Sequence, residues 1–175
     1  SDRNRDKSSI RPVVMPSPTS SPAQRRLAAA LRNLKQRQDR GQVVFRSADF
    51  DRRDREALVN AGFLRPVVKG WYLVSRPGDA PGDTTPWFAA MRDFIAGYCT
   101  ARFDDDWHMS PAYSVLVHAG ATALPAQVVV HSLRGGNHVL KLPGDCTLVD
   151  MQATDGPWVD QTEIRGGLRV LRLPA

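Results

Sequence analysis

VVFRSADFDRRDREALVNAGFLRPVVKGWYLV, residues 43–74, is the stretch on which the reading of this chain turns. Residues 43–45 are a short extended piece. Ser47 offers a cap for a single helical turn over 47–50. Asp51 offers a cap for a second helix over 52–61, and Gly62 stops it. In that helix Leu58 and Ala61 face inward, flanked by Phe50 and Phe63. Residues 64–68 and 70–74 alternate as two strands. Lys69-Gly70 makes the turn, where glycine supplies the positive φ that a tight hairpin needs.

Working outward, residues 23–40 predict a longer helix. Leu27, Leu31 and Leu34 recur at i, i+4, i+7 and form one apolar stripe, with Arg25, Arg32, Lys35 and Arg37 opposite. Ser21-Pro22 starts it and Gly41 ends it. A helix, a one-turn helix, an arginine-rich helix and a hairpin follow in the order of a winged helix-turn-helix. That module places one helix in the DNA major groove.

The candidate DNA contacts follow from this order. Arg52, Arg53 and Arg55 open the second helix, the end that reaches base edges, and their planar guanidinium groups suit guanine O6/N7 or phosphate. Asp51 and Asp54 lie among them and repel phosphate, so the competing reading is a solvated face of local Asp–Arg pairs. Arg46 and Ser47 suit phosphate contact, against simple helix capping for Ser47. Lys69 at the hairpin tip suits phosphate or the minor groove, against an ordinary solvated lysine. Arg25, Arg26 and Arg32 extend the same footprint.

Charge supports a polyanionic partner. The 175 residues carry a net +6 and the pI is about 9.9. Residues 1–76 hold 17 Lys+Arg against 7 Asp+Glu, whereas residues 77–175 hold 7 against 11, so +10 in one half and −4 in the other make up the whole. The basic charge sits with the helix-turn-helix pattern. Cys99 and Cys146 show no paired spacing and read as reduced thiols of a cytoplasmic protein. No apolar run reaches the ~18 residues of a membrane span. The start at Ser1 and the stop after a strand-like run suggest a piece of something longer.

Residues 1–22, polar and rich in Ser and Pro, read as a disordered tail. Residues 23–76 read as the winged helix-turn-helix domain and 77–85 as a Pro/Gly/Asp-rich linker. Residues 86–175 read as a small α+β domain. It opens with a helix over 86–102 whose apolar side carries Trp87, Met91, Phe94, Ile95 and Tyr98. A second helix starts at Ser110-Pro111 and runs to His118. Strands are expected over 127–132, 138–141, 147–150 and 167–173. The fold class is α+β.

The ordered blocks GFL (62–64), KGWY (69–72), SPAYSVLVHAG (110–120) and PAQVVV (125–130) resemble the AbiEi-type antitoxins, which join an N-terminal winged helix to a small C-terminal domain. A closer likeness is to the N-terminal region of a subset of bacterial Fic-family proteins, where the same layout precedes a Fic domain that transfers AMP onto a hydroxyl group. The likeness covers residue 27 onward. It implies a transcriptional regulator that binds double-stranded DNA and has a toxin or target protein as partner; because a helix-turn-helix normally uses two half-sites, a homodimer on DNA is expected. The alternative it implies is a regulatory or target-recruiting region of a Fic-family AMP-transferase whose catalytic domain lies outside this chain. Two departures matter. The helix before the arginine-rich one is a single turn. The Fic motif HPFxxGNGR is absent, and its nearest string, Gly135-Gly136-Asn137-His138, has the wrong order and lacks the phosphate-binding arginine.

No constellation of catalytic residues is expected. Asp104, Asp105, Asp106 and His108 read as a solvated acidic loop rather than a metal site, because adjacent carboxylates diverge. The four histidines lack zinc-ligand spacing. Ser110 and Ser114 lack a G-x-S-x-G context, and His118 reads as a partner of its helix's C-terminal dipole. Glycine-rich phosphate loops are absent. No cofactor and no metal are expected.

Overall fold

The structure is a computed structural model that describes residues 19–79, 84–155 and 159–174. Residues 1–18 of the expected tail and 80–83 of the expected linker lie outside the described residues. The chain combines helices and sheets as an α+β protein.

Helix α1 spans Pro22–Asp39. Ser21 caps it reciprocally. Gln24 N–H donates to Ser21 Oγ at 3.1 Å and Ser21 N–H donates to Gln24 Oε1 at 2.8 Å, which satisfies two donors that the first turn otherwise leaves open. Its stripe buries Ala30 and Leu34, with Leu27 and Leu31 packed alongside. Strand β1 is Val44–Arg46, and Ser47–Asp49 is a 3₁₀ turn. Helix α2 is Arg52–Asn60. Asp51 caps it as expected, accepting Asp54 N–H at 2.9 Å. The expected cap of the 3₁₀ turn is corrected. Ser47 does not cap it; the Asp49 carboxylate does so from the other side, accepting Arg46 N–H at 2.7 Å.

Strands β2 (Leu64–Val68) and β3 (Trp71–Val74) form the hairpin. Gly70 turns it with φ +82°. The register slips by one residue between Pro66 and Val68, a bulge where proline has no N–H to donate. Strand β1 joins on the free side of β3, so the antiparallel sheet has the order β1-β3-β2. Alternation along β3 then assigns its faces. Tyr72 and Val74 pack with Phe45, Leu58 and Leu64 beneath α1 and α2. Trp71 and Leu73, with Val67, enter a second core built with Met91, Phe94 and Ile95 of the next helix.

That helix, α3, spans Thr85–Phe103. It starts one residue earlier than expected because Thr84 is the cap, accepting Trp87 N–H at 3.3 Å. Met91, Phe94, Ile95, Cys99 and Phe103 are buried along it. Strand β4 (His108–Met109) and helix α4 (Pro111–His118) follow. Strands β5 (Gln127–Ser132), β6 (His138–Leu142) and β7 (Cys146–Gln152) complete a sheet of order β4-β5-β7-β6. The β5–β7 pair is parallel and the other pairs are antiparallel. A last hairpin pairs β8 (Thr162–Arg165) with β9 (Leu168–Leu171). It docks on α4, where Leu171 N–H donates to Ser114 Oγ at 3.1 Å and Leu171 O lies 2.8 Å from His118 Nε2. So Ser114 and His118 act inside the fold. Sequence periodicity missed β4, which has only two residues, and β8, whose four residues do not alternate between buried and exposed.

Candidate nucleic-acid interface

Of the six predicted contact residues, Arg46, Ser47, Arg55 and Lys69 meet at one end of the β1-β3-β2 sheet, and Arg52 and Arg53 lie in the first turn of α2 beside Arg55. Arg46 closes β1 opposite Trp71, the first residue of β3. Lys69 and Gly70 form the turn beside them. Ser47 N–H donates to Gly70 O at 3.1 Å, tying the 3₁₀ turn to the hairpin. Helix α2 begins at the same end, because Arg55 Nη1 donates to Ser47 O at 2.8 Å. Ser47 is therefore held through its own backbone from two directions, and it is half-buried.

The side chains divide into held and free. Arg55 is half-buried and its guanidinium serves Ser47, which sets it apart from the outward-facing role expected of it. The sequence carried this signal. Arg55 precedes Leu58 by three residues and Val59 by four, so it rides above the inward face of α2. Arg52 is exposed but holds Glu56 at 2.9 Å one turn along. The hydrogen bond it donates to Glu56, and then the charge of that carboxylate, raise the Arg52 pKa above the usual arginine value. Arg53 and Lys69 are exposed, and neither has a hydrogen-bond or ion-pair partner among the described residues. Arg46 is exposed and its guanidinium carbon sits 4.0 Å over the Trp71 ring. Its side-chain donors likewise meet no acceptor among the described residues.

The carboxylates at this end are engaged locally. Asp51 caps α2. Asp54 faces Arg26 at 4.0 Å, so that one of the three arginines of the extended footprint is turned to α2. Asp49 accepts from Arg46 N–H, from Gln42 Nε2 at 2.9 Å and from Arg37 at 3.4 Å. Each of these acidic groups has a neighbouring donor, which lowers its repulsion toward an incoming phosphate.

The acidic second half satisfies its own charges. Asp104 pairs with Arg134 at 3.1 Å and Asp105 with Arg169 at 3.1 Å. Asp106 accepts from Ser132 Oγ at 3.2 Å. Arg134 also lies 3.9 Å from Asp106, and among the described residues no His/Cys/Asp/Glu group is arranged to hold a metal ion. Asp150, buried, accepts the N–H groups of Gly136 and His138 and pairs with Arg102 at 3.2 Å. The Gly135-Gly136-Asn137-His138 string is thus a turn wrapped around a carboxylate. Burial pushes the Cys99 thiol up to about 12 and raises Cys146 as well. Among the described residues no ion pair joins an arginine of residues 19–79 to a carboxylate of the second half. No described helix is long and apolar enough to cross a membrane.

No family model, curated protein or solved structure matches this chain.

Proposed function

We propose that this chain is a double-stranded-DNA-binding regulator that engages an operator through a winged helix-turn-helix. In this reading α1, the 3₁₀ turn and α2 are the three helices, with α2 in the major groove, and the β2–β3 hairpin is the wing. The observation that carries it is the placing of Arg46 and Lys69 beside the start of α2, whose first turn carries Arg53. All three are exposed and unpaired among the described residues. The likeness of the sequence blocks to AbiEi-type antitoxins points the same way, and it adds a partner toxin to the proposal; the helix-turn-helix adds a dimer on paired half-sites.

Fluorescence anisotropy with DNA from upstream of the parent gene, set against a random-sequence duplex, tests the reading. Specific binding is expected to exceed random binding, with log Kd rising steeply with log salt. Three phosphate contacts alone correspond to a slope of about 3. Equal, weak and salt-insensitive binding of both duplexes would sink it.

A further inference from the structure

The geometry points to Trp71 as a positioning residue for Arg46, so that helix α3 of the second half forms the back wall of the DNA site. This inference rests on the DNA-binding reading.

Three observations build it. First, Arg46 and Trp71 are cross-strand partners, and the guanidinium carbon lies 4.0 Å over the indole ring. Contact at that range attracts the cation through the ring quadrupole and restricts a side chain that otherwise samples many rotamers. Second, the indole cannot swing away. Phe94 meets it edge-on with centroids 5.8 Å apart and an interplanar angle of 86°. Tyr98 meets it at 5.6 Å and 65°. Both come from α3, and Gly97 lies between them against the ring, where a Cβ would make ordinary contact with Trp71 at 3.9 Å. Third, the guanidinium rests over the ring while its N–H groups meet no acceptor among the described residues. No carboxylate competes for them: the nearest acidic residue in sequence, Asp49, is already occupied by Arg37, Gln42 and the Arg46 backbone.

A guanidinium held on a ring beside the hairpin turn, with its N–H groups unbonded among the described residues, keeps its donors for a ligand. A phosphodiester accepts such donors bidentately. Arg53 and Lys69 carry the same charge without such a support. The three cations are thus unequal: Arg46 is pre-oriented, and its ordering cost is met on folding rather than on binding.

A double-mutant cycle tests this on the full chain with a fluorescein-labelled random-sequence duplex, over about 50 to 200 mM salt. Arg46→Ala is expected to weaken binding roughly fivefold, within the range for a single backbone contact. Trp71→Leu should weaken it to a similar degree, and the double variant no further. Trp71→Phe keeps an aromatic face and should stay within about twofold of the parent. As a control, Trp71→Leu combined with Arg53→Ala should show multiplied losses. The Arg46 Nε–H resonance should move downfield in Trp71→Leu, as ring-current shielding is removed. If the Arg46 and Trp71 losses multiply, Trp71 acts only through general stability and the inference is overturned. If the parent chain binds no duplex, the DNA-binding reading falls first and takes the inference with it.

Discussion

The amide of Ser47 donates to the carbonyl of Gly70 across 3.1 Å, while the carbonyl of Ser47 receives Arg55. One residue therefore joins the 3₁₀ turn to the hairpin tip and to helix α2, and the relative placement of Lys69, Arg46 and Arg53 depends on it. Arg53 and Arg55, two positions apart, then have different duties. Arg53→Ala should leave thermal stability within about 0.5 kcal/mol of the parent, as for an ordinary surface change. It should lower the salt dependence of DNA binding by about 0.9 of a counterion. Arg55→Ala should lower unfolding free energy by about 1 kcal/mol, one lost hydrogen bond to a half-buried carbonyl. Denaturant titration and anisotropy on the same two variants check this. Indistinguishable behaviour would remove the distinction.

The β1-β3-β2 sheet serves two cores, one on each face. Phe94 is fully buried against Trp71 from the far side, so its loss should be felt in both halves. Phe94→Ala is expected to cost about 3–5 kcal/mol. Amide exchange at Phe45 in one core and Val130 in the other should accelerate together, as in one cooperative unit. Unchanged protection of Phe45 would show that the two halves unfold separately.

His108 and His131 stack with ring centroids 5.4 Å apart and planes 7° from parallel. Burial lowers both pKa values below 6.5. For His108 the neighbouring His131 adds to this, while its bond to Met109 O and the charge of Asp106 oppose it. Unfolding restores the ordinary value, so the unfolded chain binds more protons than the folded one on the acid side of that value. Stability from this pair is complete above about pH 6.5 and is lost as pH falls from there through the folded pKa values. Melting temperature should therefore fall between about pH 6.5 and pH 5. The imidazole C2–H resonances should titrate with midpoints under 6.5. Midpoints above it would reverse the sign.

The elements of residues 43–74 are legible because their signals are local. Asp51 as cap, Gly62 as stop and Gly70 as turn each act within four residues of themselves, and the structure keeps all three. The stripe Leu27, Leu31, Leu34 and the α3 series Met91, Phe94, Ile95 also land in the cores. The short strands β4 and β8 leave no period to read. The caps compete at equal distance in sequence, and the Asp49 carboxylate, not the Ser47 hydroxyl, closes the 3₁₀ turn.

Local chemistry alone determined the charge asymmetry, the helix-turn-hairpin order and the set of basic side chains that meet near the hairpin. Tertiary structure decided which of them are free. Arg55 turns to Ser47, Arg52 to Glu56 and Arg26 to Asp54, while Arg46 lies on an indole fixed by rings some two dozen residues further along the chain. The physical reason is range. Helix periods and caps are settled between near neighbours, but a guanidinium's partner is settled by whatever distant group the packed core brings within a few ångströms, and only the folded chain makes that choice.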